Sequence, residues 1–152
     1  MPENHKKSLN KKRIERYIEK LEHFTKIKEN LEKWTENLNA ESFIKTDLKE
    51  QFAIYHAFQI IAEIITDLIA MMIKDLKIKP KDDNSNINYL KEQKFLSENL
   101  ASRLQKINGL KNVLVYDYNS IDEYRAFKKI KENLQFINEF FEVIKEWLKK
   151  NS

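Results

Sequence analysis

Residues 57–73 read AFQIIAEIITDLIAMMI and form the most apolar stretch of the chain. The apolar positions cover almost the whole circumference of a helix, which is typical of a helix buried on nearly all sides. Glu63 and Asp67 lie inside this stretch, and each carboxylate would cost about 2.5–3.5 kcal/mol at the centre of a membrane span. The stretch therefore predicts the central helix of a water-soluble bundle, not a membrane helix.

Further helices are predicted on both sides of this one by apolar residues at alternating steps of three and four. Asn10 is a candidate N-cap for the first, and Ser120 and Glu123 form a candidate capping box for the last. A polar loop at 78–86 separates the second helix from the third, which is expected to break near Phe95–Ser97 or loosen at Gly109. The predicted helices span 10–37, 42–76, 87–116 and 120–149.

Composition agrees with an all-α fold. Among 152 residues there are one Gly and two Pro, with 41% hydrophobic and 34% charged residues, too little turn chemistry for a sheet protein. The length suits one domain spanning 1–152. We expect an all-α bundle of four to five helices.

Charge and cysteine content limit the function classes. A net charge of +4 is compatible with a nucleic-acid partner without being diagnostic of one. The absence of cysteine excludes disulfides and thiolate metal sites, and the scattered His5, His23 and His56 lack zinc-motif spacing. We predict no metal and no cofactor. The polar, lysine-rich N-terminus lacks a signal-peptide core, which favours a cytoplasmic location.

One polar stripe interrupts the apolar second helix: His56, Gln59, Glu63 and Asp67 follow steps of three, four and four. Two carboxylates four residues apart on a helix repel each other unless neighbouring cations neutralise them or hydrogen-bond donors pair with them. The favoured interpretation is an internal ion pair with a Lys or Arg of another helix. The alternative is the wall of a functional cleft. His56 by itself is predicted to be a hydrogen-bonded packing residue.

A second polar cluster occupies residues 109–122, GLKNVLVYDYNSID. Lys111 cannot share one face of a regular helix with both Tyr116 and Tyr118, so the chain is expected to leave the helix here. Lys, Asn and Tyr side chains at a helix end are suited to hold a phosphate or a base. From spacing alone, however, a structural helix end is the favoured interpretation.

These residues resemble the HEPN superfamily, in particular its HepT-like branch, also called domain of unknown function 86. The branch carries Arg, four residues, His, any residue and Tyr within a segment such as G-L-R-N-x-L-V-H-x-Y-x-x-I-D. The second helix also resembles the family's D…A…A-x-Q…E…D progression. The matching positions are Gly109, Leu110, Asn112, Leu114, Val115, Tyr118, Ile121 and Asp122, then Asp47, Ala53, Ala57, Gln59, Glu63 and Asp67.

The resemblance implies an antiparallel helical bundle that forms a homodimer, with the motifs of both protomers lining a shared cleft. Active members of the family are metal-independent endoribonucleases acting as toxins. Their partner is a minimal nucleotidyltransferase antitoxin, which in some systems transfers AMP to the motif tyrosine. Tyr118 matches that tyrosine and is the candidate AMP acceptor.

The chain departs from the family at three positions. Lys111 stands at the arginine of the motif, Tyr116 at the histidine, and Gln51 at an arginine of the second helix. Lys111 keeps the positive charge but loses the bidentate fork that grips a phosphate. Tyrosine, with an ordinary pKa of about 10, is protonated at neutral pH and therefore a poor base.

Three hypotheses follow. In the first, the chain is a HepT-like toxin in which Lys111 stabilises phosphate charge, Tyr116 donates a proton, and Asn112, Glu63 and Asp67 support them. In the second, it is a non-catalytic HEPN protein that binds RNA, a nucleotide or a nucleotidyltransferase partner. In the third, it is a helical interaction protein without a ligand.

Overall fold

The computed structural model describes residues 9–152, and every regular element in this range is helical. Six α-helices and one 3-10 turn follow each other along the chain. Their bounds are α1 Lys11–Thr35, α2 Ala40–Phe43, α3 Leu48–Asp75, α4 Asp83–Glu92, α5 Glu98–Tyr116, the 3-10 turn Tyr118–Ser120 and α6 Glu123–Asn151. The all-α prediction is confirmed. The N-terminal lysine-rich segment and His5 lie outside the described residues.

Each helix begins at a polar side chain that accepts a hydrogen bond from the backbone N–H three residues later, which satisfies one of the free donors of the first turn. The prediction of Asn10 as an N-cap is confirmed, since its Oδ1 lies 2.8 Å from the Arg13 nitrogen. The N-caps of the six helices are Asn10, Asn39, Asp47, Asp82, Ser97 and Asp122.

Several predicted boundaries were wrong. The segment 40–43 is a separate one-turn helix with its own capping box, so the central helix begins at Leu48 and not at residue 42. The polar loop at 78–86 is shorter than predicted, because Asp82 starts α4. The predicted third helix divides near residues 93–97, as expected, which raises the number of helices to six. Gly109 lies inside α5 and does not interrupt it.

The chain leaves α3 and α4 through residues with left-handed backbone. Lys77 has φ 67° and Lys94 has φ 68°, a conformation common just after a helix and usually given to glycine. The nitrogens of Ile78 and Phe95 then bond back to Ile73 O at 3.1 Å and Leu90 O at 2.9 Å. These closures satisfy helix carbonyls that would otherwise lack a donor.

Helix α3 is the centre of the fold and packs against α1, α4, α5 and α6. Stacked aromatic pairs tie outer helices together, Phe43 on Phe127 at 4.4 Å and Phe24 on Phe141 at 5.7 Å between ring centroids. Burying each such side chain contributes about 1.5–3 kcal/mol. By length and composition α3 could cross a membrane, but 61% of its most apolar window is buried inside the bundle.

Polar contacts set the antiparallel order of α1 and α3. Asp75, at the end of α3, pairs with Arg13 Nε at 3.0 Å and accepts a hydrogen bond from the Tyr17 hydroxyl at 2.6 Å. Burial and the neighbouring Asp75 carboxylate raise the pKa of Tyr17 well above its ordinary value, so the phenol stays protonated. The start of α1 is thereby held against the end of α3.

Candidate active site

The motif stretch forms the junction between α5 and α6. Helix α5 ends at Tyr116, and Asp117, the 3-10 turn and Asp122 lead into α6. The prediction that the chain leaves the helix here is confirmed. The predicted capping box was wrong, because Asp122 caps α6 by accepting from the Arg125 nitrogen at 3.1 Å. The Ser120 hydroxyl donates instead to the Asp117 carbonyl at 2.9 Å, which closes the turn.

Tyr118 packs against the beginning of α3. Its ring meets Phe52 and Tyr55 edge-on, at centroid distances of 5.8 and 6.1 Å. Burial, followed by the negative charge of Glu123, raises the pKa of Tyr118 above its ordinary value. Its hydroxyl is therefore protonated at neutral pH.

A shallow cavity of about 440 Å³, the motif cavity, opens between α3 and the end of α5. It contains the motif tyrosine together with polar and aromatic side chains of the central helix. Its lining residues are Phe52, Tyr55, His56, Gln59, Leu114 and Tyr118.

His56 was expected to be a packing residue, and that prediction was wrong. The side chain is exposed, lines the motif cavity and makes no side-chain hydrogen bond to another described residue. Sequence reasoning placed it on the polar stripe and assigned it a packing role, not a catalytic one. One feature of the sequence could have indicated such a role: the family's histidine is replaced by Tyr116, so another histidine is needed to supply an imidazole, and His56 is a candidate.

The two motif residues that depart from the family, Lys111 and Tyr116, lie on the last two turns of α5, and neither lines the motif cavity. Among residues 9–152, Tyr116 is the most exposed of the large apolar and aromatic side chains, at 80%. Lys111 lies one turn before Leu114 on α5 and forms no salt bridge within the described residues. Asn112 is exposed beside it. The ammonium of Lys111, the amide of Asn112 and the phenol of Tyr116 are therefore available to bind a ligand.

The acidic half of the stripe faces solvent. The expected ion pair with a Lys of another helix is present for Asp67, but its internal location was wrong, because the pair lies at the surface. Asp67 forms a surface pair with Lys20 of α1 at 3.3 Å and is 60% exposed. Glu63 is exposed and accepts from Gln59 Nε2 at 3.3 Å. Asp67 lies eleven positions beyond His56 along α3, about 16 Å at 1.5 Å per residue. Asp67 is therefore beyond direct reach of a group held at His56.

Gln51, at the family's arginine position, has a structural role. It is buried, and its Nε2 donates to the carbonyls of Phe43 at 3.3 Å and Thr46 at 3.2 Å. This fixes the loop between α2 and α3. Within residues 9–152 no three His, Asp or Glu side chains come together as a candidate metal-ligand group.

Comparison with known proteins assigns the family. A sequence model of the family Ribonuclease HepT-like matches residues 14–144. This chain belongs to the HepT-like ribonuclease family. Two Archaeoglobus fulgidus proteins, each described as "Putative RNase", are similar to this chain over most of their length: one is 34% identical over 91% of this chain and 97% of its own length, the other 30% identical over 86% and 89%.

Solved structures agree with the HepT-like fold. The tri-AMPylated HEPN toxin of Shewanella oneidensis, in complex with MNT antitoxin, superimposes with a TM-score of 0.77 at 19% identity, covering 91% of this chain and 99% of the toxin. YutE from Bacillus subtilis, a cytosolic protein of unknown function, gives 0.72 at 18% identity, covering 94% and 93%. At these identities the likeness establishes the HEPN helical-bundle fold.

Proposed function

We propose that this chain is the toxin of a HEPN–nucleotidyltransferase pair, acting through residues 1–152 as one domain and cleaving RNA without a metal ion at the motif cavity. The observation that carries the proposal is the position of His56 beside Tyr118 in that cavity. The imidazole absent from position 116 is supplied by α3. Family membership and the toxin fold of the Shewanella protein support the same assignment.

The chemistry needs a base, an acid and a positive charge. The RNA 2′-oxygen attacks the adjacent phosphorus while the bond to the next 5′-oxygen breaks, giving a 2′,3′-cyclic phosphate and a 5′-hydroxyl. His56 takes the 2′-hydroxyl proton, because imidazole exchanges protons near neutral pH. Tyr116, whose phenol faces solvent, protonates the leaving 5′-oxygen. Lys111 and Asn112 contact the phosphate that gains charge.

The activity is tested with purified protein and RNA in excess EDTA. Loss of a general acid–base group typically lowers a rate by about 10²–10⁴-fold, and we expect His56→Ala to fall in that range. His23→Ala is the matched control, since His23 is an exposed imidazole on α1. Tyr116→His should raise the rate, because it restores the family's residue.

Wild-type cleavage that equals that of His56→Ala would refute the assigned base. Intact RNA with the wild type in EDTA would refute the ribonuclease and favour the non-catalytic alternative, a HEPN protein that binds RNA or nucleotide and its nucleotidyltransferase partner.

We also propose that the surface around the motif cavity, where α3 begins, forms a homodimer interface. Leu48 is 58% exposed and Phe52 47%, four residues apart on the first turns of α3, and exposed apolar side chains on one face mark interaction surfaces. Light scattering should give twice the chain mass at micromolar concentration, and Phe52→Asp should give a monomer. Trp34→Asp, at a 43% exposed aromatic on α1, should leave the mass unchanged. A wild type that is monomeric in this measurement would refute the cleft shared by two protomers.

The proposed antitoxin is a minimal nucleotidyltransferase that modifies Tyr118. The Tyr118 oxygen would bond to the α-phosphorus of ATP, pyrophosphate would leave, and the phenol proton would pass to a base of the partner. Because burial raises the pKa of Tyr118, that base is required. Coexpression followed by peptide mass spectrometry should find AMP on Tyr118 and none in Tyr118→Phe; a complex without any adduct would refute the modification.

The burial of α3 within the bundle accounts for its apolar stretch, and the cytosolic Bacillus protein shares the fold. We therefore place the proposed reaction in the cytoplasm.

A further inference from the structure

A larger groove of about 630 Å³ lies between α5 and α6 and shares no lining residue with the motif cavity. Its volume is in the range of small-molecule sites. Leu110, Val113 and Ile121 provide apolar surface along it. We call this depression the α5–α6 groove.

Cationic side chains outnumber carboxylates in the groove. Arg103, Lys106 and Lys129 line it and form no salt bridge within the described residues, while Arg125 pairs with Asp122 at 3.8 Å. Glu132 is the second carboxylate of the lining. Three cations without a carboxylate partner surround this apolar depression, although the Arg103 guanidinium also lies over the Phe136 ring at 4.8 Å. Such a group of cations is suited to a phosphate-bearing ligand.

Asn133 lines the same groove and lacks a partner for its oxygen. The residue is 4% exposed, and its Oδ1 accepts no hydrogen bond. Its Nδ2 donates to the Lys129 carbonyl at 2.8 Å, which identifies the nitrogen and leaves the oxygen free. The oxygen has less than 1 Å² of accessible surface, so a bound donor reaches it only after the amide turns toward the groove. Since buried polar atoms are normally paired, we expect that turn when a molecule with a donor binds.

At the edge of the groove, the backbone of Gly109 is not covered by a side chain. Gly109 is the only glycine of the chain and lines the groove, and an added Cβ would meet nothing within 4 Å. No contact inside the fold requires glycine in the interior of α5, where it is unfavourable. A flat ligand lying against the helix would use this open backbone.

We propose that the α5–α6 groove binds a nucleoside phosphate whose base carries an exocyclic amine. The amine donates to Asn133, the base lies along the apolar wall beside Gly109, and the phosphate meets Arg103, Lys106 and Lys129. The site is separate from the motif cavity and does not depend on RNA cleavage.

Titration calorimetry of the purified full chain with AMP tests the groove. AMP should bind at least about tenfold more tightly than adenosine, because only AMP carries the phosphate. The double variant Lys106→Glu with Lys129→Glu should remove that advantage. The charge-matched double control Lys26→Glu with Lys33→Glu, at two exposed positions of α1, should retain it.

The base contact is tested with purine riboside monophosphate, which lacks the exocyclic amine. The wild type should prefer AMP over this analogue, and Asn133→Leu should bind both equally. A 5′-phosphorylated RNA that competes with AMP identifies an RNA end as the source of the nucleotide, whereas a free nucleotide is the source if the RNA does not compete.

Lys111→Ala separates this site from the motif cavity and should bind AMP as the wild type does. The proposal is overturned if Lys111→Ala abolishes binding while the groove variants retain it, or if AMP does not bind the wild type. Neither result bears on cleavage of RNA, so the two proposals fail separately.

Discussion

Replacing Gly109 by alanine should stabilise the fold. Gly109 lies eleven residues after the first residue of α5 and seven before the last, with no positive φ. In such an interior position alanine is favoured over glycine by about 0.5–1 kcal/mol, because the unfolded glycine chain has more conformational freedom to lose.

No steric clash opposes the stabilisation expected for Gly109→Ala. The new methyl group would meet no atom within 4 Å, and the position is exposed, so no burial energy is gained either. For a chain of this size, about 1 kcal/mol corresponds to a rise of about 2–4 °C in Tm. In urea, with a slope of about 1–3 kcal/mol per molar, the midpoint should rise by about 0.2–1 M.

The assay is urea unfolding followed by circular dichroism at two protein concentrations, because association would couple stability to concentration. Ser102→Gly, at an exposed position of the same helix, should shift the midpoint in the opposite direction. A Gly109→Ala variant that is no more stable than wild type would refute an unobstructed helical backbone at 109. The same variant should bind AMP more weakly if the α5–α6 groove holds a base.

Three further changes test other parts of the structure. Lys94→Gly should raise the free energy of unfolding by up to about 1 kcal/mol, because it relieves a left-handed backbone; an unchanged urea midpoint would contradict this. Tyr124→Phe removes the 2.7 Å bond to Glu41 that lowers the pKa of Glu41 and raises that of Tyr124. Its stability contribution is present at neutral pH and is lost as pH falls through the lowered pKa of Glu41 or rises through the raised pKa of Tyr124. The Tm gap to wild type should therefore close as the pH falls below glutamate's ordinary pKa; a gap independent of pH would exclude this bond as the cause. Gln51→Leu should lower stability by about 1–3 kcal/mol in thermal unfolding, because the Thr46 carbonyl loses its side-chain donor, whereas the Phe43 carbonyl keeps the Thr46 nitrogen and hydroxyl as donors; a Tm equal to wild type would refute that role.

Helix boundaries followed the sequence where a cap decides them locally. Asn10 was identified because a side chain accepting from a nitrogen three residues later depends only on neighbouring positions. Asp122 was missed because Ser120 and Glu123 offered an equally local alternative, and the turn at Tyr118–Ser120 engaged the serine first. The break at residues 40–47 was underestimated because Asn39 and Asp47 each cap a helix.

The sequence alone determined the helical class, the central position of α3 and the place where α5 ends. It also identified the family and the two departures at Lys111 and Tyr116. These conclusions depend on periodicity and spacing within single helices, which the chain carries locally.

Only the tertiary structure decided which distant residues meet. It placed His56 in one cavity with Tyr118, paired Asp67 with Lys20 on the surface, and left the side-chain oxygen of Asn133 unpaired at the α5–α6 groove. Such pairs lie tens of residues apart in the chain, so they depend on how the helices rotate and pack against one another. The spacing of residues along one helix shows which of them share a face. Which groups that face contacts, and whether it is buried, depends on the helix packed beside it.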